Sequence, residues 1–200
     1  LRPKIFHLSA ASTPPVVIYS DVEWELLDKP PWISMGMRGM AWIQQTVVAA
    51  STEALDELVP VLSARESQIR SLELMAAAGM LFTYKERLKG RDVLFFIDNQ
   101  SVCCALTKGS SRSWDIQILS SAWHLACLNW QIRVWIEWVP SGSNPADILS
   151  RGAKSLFPTT SGKIDTLLLP DWVDLRGTRD FSGILDRVMR GGSETGPWGL

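Results

Sequence analysis

The sequence predicts an α/β domain built on a mixed β-sheet, and three observations carry this prediction. Segments rich in β-branched and aromatic residues come first, an apolar stripe with helical spacing begins at Ile69, and strand-like and helix-like segments then alternate to about residue 138. The chain has 200 residues, of which 46% are hydrophobic. That content is enough for one well-buried domain.

The first third of the domain is predicted to be strands. "VVIYSD" (Val16 to Asp21) is a strand by composition. "WISMGMRGMAWIQQTVVAAS" (residues 32–51) contributes one or two more strands, in which Gly36 and Gly39 are turn or bulge candidates. Residues 52–68 give no clear pattern.

From Ile69 the period changes to that of a helix. Apolar or small residues recur at helical spacing, at Leu72, Met75, Ala76, Gly79, Met80 and Thr83. The unbroken apolar run of residues 93–97 predicts a strand that is buried on both faces. A short helix then begins at the N-cap candidate Asn99, and residues 115–130 form a second long helix. The alternation in "QIRVWIEWVP" (residues 131–140) predicts a further strand.

The chain divides into three regions. Residues 1–15 read as a lead-in from an upstream region, residues 16–152 as the domain, and residues 153–200 as a loosely structured C-terminal appendage rich in Pro, Gly, Ser and Thr. Because the first residue is Leu1, we expect the chain to be a piece of a longer polypeptide.

Charge and cysteine content restrict the function only weakly. The net charge is −1 and the pI is about 6.2, so no overall positive charge marks a nucleic-acid-binding protein. Cys103, Cys104 and Cys127 have no metal-ligand spacing and are predicted to be small buried residues in a reducing compartment.

No apolar run approaches the roughly 18 residues of a membrane span, and we expect no signal peptide. We therefore expect an intracellular protein, in the cytoplasm or nucleus, that is not secreted.

Four acidic residues lie at the ends or edges of different predicted elements: Asp21, Glu73, Asp98 and Asp147. Each has an ordinary interpretation when taken alone, as a turn residue, a solvated helix residue, a cap partner or a complement to a helix dipole. Brought together, they would repel one another unless divalent cations, which prefer oxygen ligands, bound between them. The pattern therefore indicates a candidate metal site.

Four sequence blocks carry a resemblance to a known family. "VVIYSD", "SLELMAA", "FFIDNQSV" and "WVPSGSNPADILSRG" resemble, in this order, the blocks of the ribonuclease H domain that follows reverse transcriptase in long-terminal-repeat retrotransposons. The last block is most similar to Pao-like and gypsy-like elements. The resemblance covers roughly residues 16–152 and includes all four acids.

The resemblance implies a ribonuclease H-like fold, with a mixed five-stranded sheet flanked by helices and the four acids at one edge. It implies two Mg²⁺ ions held by Asp21, Glu73, Asp98 and Asp147, with Mn²⁺ as a substitute. The implied activity is hydrolysis of the RNA strand of an RNA–DNA hybrid, with water activated by the ions. The implied partners are the hybrid and the upstream reverse transcriptase domain of the same polyprotein, with no membrane.

Polar and basic residues near the acids are predicted to contact nucleic acid. "TKGSSRSW" (residues 107–114) is a Gly-Ser-rich turn, which we expect to contact the backbone and 2′-hydroxyl groups. The basic residues of "YKERLKGR" (residues 84–91) either contact phosphates or are ordinary solvated helix ends, and the sequence favours neither interpretation. The predicted contact residues are Asn99, Gln100, Ser101, Lys108, Ser110, Arg112 and Asn144.

Two features depart from the family pattern. "DVEWE" (residues 21–25) replaces a compact turn and adds Glu23, which is either a spare ligand or a solvated side chain, and the loop "PSGS" (residues 140–143) has no histidine. They leave open a catalytically degenerate module that packs against a reverse transcriptase. A DNA-strand-transfer enzyme is a third alternative, disfavoured because such enzymes generally end their acid set with a glutamate on a helix. The tryptophans at positions 114, 123, 130, 135 and 138 are predicted to serve mainly packing.

Overall fold

The computed structural model describes residues 13–26, 33–53, 69–147, 159–175 and 181–191. Within these ranges the predicted mixed α/β sheet flanked by helices is confirmed. The strands are β1 (Val16–Leu26), β2 (Ile33–Ile43), β3 (Thr46–Glu53), β4 (Asp92–Ile97), β5 (Arg133–Trp138) and β6 (Asp165–Thr166). The helices are α1 (Ile69–Thr83), α2 (Lys85–Leu88), α3 (Gln100–Lys108), α4 (Trp114–Asn129) and α5 (Phe181–Met189).

The sheet has the strand order β5-β4-β1-β2-β3-β6. β1, β2 and β3 form an antiparallel meander, whereas β4 runs parallel to β1 and β5 runs parallel to β4. β6 is a two-residue strand that pairs parallel with β3. Because β1 and β4 are parallel neighbours and Ser20 pairs with Ile97, the residue that follows β4 lies beside Asp21, although β1 itself continues to Leu26.

Helix α1 lies at the centre of the core. Every residue from Ser71 to Phe82 is buried, so the helix has no solvated face in that range. It packs on β1 and β2 and also contacts α3 and α4. The predicted apolar stripe is therefore only one part of its buried surface, because protein covers the other sides as well.

The C-terminal segment differs from the loose appendage that the sequence predicts. Leu167, Trp172, Val173, Ile184 and Val188 are at most 2% exposed and belong to the main hydrophobic core. A Cβ atom added to Gly79 of α1 would lie 3.0 Å from side-chain atoms of Leu167, which shows how closely this segment packs on the helix. In its described part the segment completes the core, since it covers a side of α1 that the sheet does not reach.

Two glycines predicted as turn candidates lie instead inside β2. The turn between β2 and β3 is formed by Gln44 and Gln45, and Gln44 has a positive φ of 58°. Gly39 is required by packing, because an added Cβ would lie 2.4 Å from the sulfur of Met80 and 2.8 Å from the Tyr19 carbonyl oxygen. A Cβ on Gly36 would lie 2.8 Å from the Arg38 guanidinium.

Strand β4 is fully buried on one face only. Val93, Phe95 and Ile97 are completely buried, whereas Leu94 and Phe96 on the opposite face are half-buried. The prediction of two buried faces is therefore wrong for the second face. There Phe96 stacks on Tyr19, with ring centroids 4.8 Å apart.

Four other side chains are more exposed than predicted. Cys104 is exposed because the buried face of α3 carries Cys103, and Cys127 is buried as expected. Trp123 and Trp130 are buried, but Trp114, Trp135 and Trp138 are 37%, 44% and 45% exposed. Among the described helices, none has both the length and the apolar character that a membrane crossing requires.

Candidate metal centre

Asp21 and Asp98 are brought together by the parallel pairing of β1 and β4. Ser20 pairs with Ile97 in this register, and each acid is the next residue along its strand direction. The Asp21 side chain points into a site at the sheet edge and the residue is only 6% exposed. The position of both acids therefore follows from strand register.

Glu73 reaches the same site from α1. It is 3% exposed and lies one helical turn after Ile69, so that both residues line one cavity. Its carboxyl group hydrogen-bonds the Asp98 side chain, while its Oε2 atom is buried with no hydrogen-bond partner among the described residues. Glu73 is therefore not a solvated helix residue, which was its ordinary interpretation.

The three acids form a compact group of oxygen atoms. One carboxylate oxygen each from Asp21, Glu73 and Asp98 lies within 4.8 Å of the others. Oxygen ligands at this separation suit a hard divalent cation, and a buried Glu73 oxygen without a partner is available to bind one. The residues present therefore fit a magnesium-type ion.

Asp147 lines the same cavity as the three acids. The cavity has a volume of about 380 Å³ and is lined by Asp21, Val22, Glu23, Ile69, Glu73, Asp98, Asn99, Ser141 and Asp147. Asp147 is close enough to raise the pKa of Asp21, but it is not part of the group within 4.8 Å. The predicted helix beyond it lies outside the described residues, and Asp147 is its first residue here.

Burial and mutual repulsion oppose ionisation of the acids when no cation is bound. Burial, followed by the negative charges of Asp98 and Asp147, raises the pKa of Asp21 from 3.8 to about 6. Burial is also the main cause that raises the pKa of Glu73, with further contributions from Asp98 and Asp21. A bound cation would reverse both effects because it stabilises the ionised carboxylates.

Glu23 lines the cavity and its side chain is 34% exposed, but its charge is paired within the protein. Its Oε2 atom lies 2.6 Å from Nη2 of Arg38 on the neighbouring strand. The Arg38 side chain is only 12% exposed, and it is also the cross-strand neighbour of Asp21, whose pKa it lowers slightly. Arg38 is thus a charged residue at the site that the sequence analysis missed, because strand pairing and not local sequence places it there.

The residues predicted to contact nucleic acid are one cavity residue (Asn99), five exposed residues and one buried residue (Asn144). Asn99 lines the cavity and caps α3, since its side chain accepts hydrogen bonds from the backbone N–H groups of Ser101 and Val102. The exposed residues of the set are Gln100, Ser101, Lys108, Ser110 and Arg112. Of these, Gln100 and Ser101 begin α3 beside the cavity, whereas Lys108 ends the same helix.

Asn144 differs from its predicted role in nucleic-acid contact. It is 3% exposed, its Nδ2 donates to the Ser20 carbonyl at 2.9 Å, and its Oδ1 accepts from the Ala146 N–H. Both ends of the amide are therefore used within the protein. Asn144 ties the segment that carries Asp147 to the end of β1, so it positions the site and is not available to substrate.

Comparisons with known proteins give similarity in structure but none in sequence. No family model matches the chain, and no curated protein matches it. A solved structure that it resembles is the N-terminal RNase H domain of Rv2228c from Mycobacterium tuberculosis, determined as a fusion with maltose-binding protein. The two chains are 13% identical, the match covers 71% of this chain and 99% of that chain, and the TM-score is 0.36.

Proposed function

We propose that this chain is a metal-dependent endonuclease that hydrolyses the RNA strand of RNA–DNA hybrids, as part of a retroelement reverse transcriptase polyprotein. The observation that carries the proposal is the group of Asp21, Glu73 and Asp98 oxygens within 4.8 Å of one another. The four ordered sequence blocks support the narrower assignment to a reverse transcriptase polyprotein. Such an enzyme would act inside the cell on hybrids made by the adjoining polymerase.

The proposed roles of the side chains follow from their positions. Asp21 and Asp98 would hold Mg²⁺ from neighbouring positions on β1 and directly after β4, Glu73 from helix α1, and Asp147 from the segment that follows Asn144. When bound, Mg²⁺ supplies a Lewis acid that activates water and stabilises the leaving 3′-oxygen. The carboxylates act as ionised ligands, so no serine, cysteine or histidine nucleophile is needed.

The test is Mg²⁺-dependent cleavage of a labelled RNA–DNA hybrid by the whole chain and two variants. We expect Asp98→Asn to lower the cleavage rate by at least about 100-fold, since it removes a ligand and losses at mere supporting residues already reach 10- to 100-fold. Asp92→Asn is the matched control on the same strand. Asp92 pairs with the exposed Arg133 at 2.5 Å, and loss of such a surface pair costs at most about 1 kcal/mol.

The same assay separates the alternatives. If the parent chain binds Mg²⁺ but cuts no hybrid, the degenerate module that packs against a reverse transcriptase becomes the better interpretation. Equal cutting of a duplex DNA of the same sequence would favour a strand-transfer enzyme, because a ribonuclease depends on the 2′-hydroxyl and on hybrid shape. Full activity of Asp98→Asn would contradict the ligand assignment itself.

A further inference from the structure

Strand β5 carries two tryptophans of nearly equal exposure on opposite faces. Trp135 is 44% exposed and Trp138 is 45% exposed. Isolated exposed apolar side chains are common at protein surfaces, so exposure alone does not indicate a role. The two residues differ in what lies beside them.

Trp138 lies next to the candidate metal centre. It pairs with Ile97, the residue before Asp98, and its indole Nε1 donates a hydrogen bond to the Asp98 carbonyl oxygen at 2.8 Å. The cavity residue Ser141 follows in the next turn of chain. Trp135 donates instead to Glu137 at 3.3 Å, on the opposite face of the sheet.

The hydrogen bond to the Asp98 carbonyl holds one edge of the Trp138 indole and leaves much of that ring exposed to solvent. A phosphodiester held at the carboxylate cluster carries a sugar and a base on each side. Aromatic rings at protein surfaces stack on bases with about 1–3 kcal/mol each and with little dependence on sequence. A ring whose orientation is already set loses little freedom when it makes such a contact.

We propose that Trp138 is a substrate-contact residue, whose indole face packs against a nucleotide beside the phosphate that a cation bound by the carboxylate cluster would hold. This inference rests on the proposed function, since it assigns a contact to the same site. It gives a hybrid-binding role to a residue that the sequence analysis assigned to packing.

The test is hybrid affinity, measured by fluorescence anisotropy with Asp98→Asn as the background so that cleavage does not interfere. We expect Trp138→Ala to weaken binding by about 5- to 150-fold, the range that corresponds to one stacked base. Trp138→Phe should retain most of the affinity because it keeps an aromatic face but loses the indole N–H. Trp135→Ala, the matched control, should bind as the background does.

Two results would overturn the inference while the proposed function stands. One is unchanged affinity in Trp138→Ala. The other is an equal loss in Trp138→Phe and Trp138→Ala, which would assign the effect to the hydrogen bond on Asp98 and not to ring contact. Failure of the unsubstituted chain to bind or cut a hybrid would overturn the proposed function and this inference together.

A second measurement needs no substitution at position 138. A hybrid carrying 5-iodouridine at successive positions is irradiated with the Asp98→Asn chain, and the adduct is located by peptide mass spectrometry. We expect an adduct on Trp138 at one or two label positions. Efficient adducts on other residues, with none on Trp138 at any position, would contradict the contact.

Discussion

The backbone around Asp98 is held by three independent contacts. The preceding strand residues Phe95 and Ile97 are completely buried, the following residue Asn99 caps α3, and Trp138 binds the Asp98 carbonyl. A metal ligand must keep its direction within narrow limits, which requires this kind of rigid support. The burial of β4 therefore affects the site directly, because it fixes the backbone position from which the Asp98 side chain extends.

Gly39 gives a prediction at the scale of a single Cβ atom. We expect Gly39→Ala to lower the free energy of unfolding by about 1–3 kcal/mol, since the new methyl group would meet both Met80 and the Tyr19 carbonyl, and a backbone carbonyl cannot move away cheaply. Urea denaturation monitored by circular dichroism measures the loss. Gly142→Ala is the control, because nothing lies within 4 Å of its added Cβ. Equal stability of the two variants would contradict the packing described for β2.

Single residues also show what the sequence could and could not predict. Asp98 was predictable because it follows a recognisable strand, and Asp21 because it lies beside that position on the parallel neighbouring strand. The predicted end of the first strand at Asp21 was wrong, because β1 continues to Leu26. Asn144 was wrongly assigned because a cap residue can turn its amide inward, where Ser20 receives it. The positions of Arg38 and Trp138 depend on strand partners far along the chain, so no local pattern indicates them.

At the scale of elements, helix α1 is packed between the sheet and the C-terminal segment. The sheet covers one side and the C-terminal segment covers another, with Leu167 and Leu169 packed close to Gly79. Since Glu73 projects from this helix into the cavity, the position of a proposed ligand depends on a segment whose described residues do not line that cavity.

Adjacent leucines in the C-terminal segment test this dependence. Leu167 is 2% exposed and Leu168 is 37% exposed. We expect Leu167→Ala to cost about 2–5 kcal/mol in unfolding free energy because it opens a cavity against α1, whereas Leu168→Ala should change it by no more than about 0.5 kcal/mol. Thermal unfolding by circular dichroism compares the two. If both leucines proved equally tolerant, the segment would not be part of the core.

Elements with a sustained period were the ones that the sequence predicted well. The long helix near residues 115–130 is observed as α4, and the alternating segment before Pro140 is observed as β5. In its described part, the C-terminal segment has helical spacing only in the nine-residue α5, where Phe181, Ile184 and Val188 recur. It packs otherwise through a two-residue strand and a short 3₁₀ turn at Asp171–Val173. Its burial arises from contacts with α1 and α4 that no short window contains.

At the scale of the whole molecule, the carboxylate cluster links stability to pH. Because the pKa of Asp21 is raised from 3.8 to about 6 in the folded chain, protonated Asp21 favours folding, and this contribution is complete below about pH 4 and lost as the pH rises through 6. The pKa of Glu73 is raised as well and acts in the same direction. We expect the metal-free parent to lose stability relative to Asp21→Asn between pH 4 and pH 7.

Bound Mg²⁺ should make the parent more stable at pH 7, which is opposite to the effect of pH on the metal-free chain. Saturating Mg²⁺ is expected to stabilise the parent at pH 7, by about 2.7 kcal/mol at a concentration 100 times the dissociation constant. It should have little effect at pH 4, where protons occupy Asp21 and Glu73, whose pKa values are raised. Scanning calorimetry at both pH values, with Asp21→Asn as the control, measures the difference. A Mg²⁺ effect of the same size at pH 4 and pH 7, or one retained in Asp21→Asn, would argue against ion binding at this cluster.

The parallel pairing of β1 with β4 also determines when, during folding, a cation can bind. Between these two strands the chain must complete a β-meander and a helix, so the Asp21–Asp98 pair is a contact between residues that are distant in sequence. Contacts of this kind form slowly, because loop closure precedes them. An ion that requires the pair would therefore arrive after the rate-limiting step, lengthening the lifetime of the native state without hastening its formation.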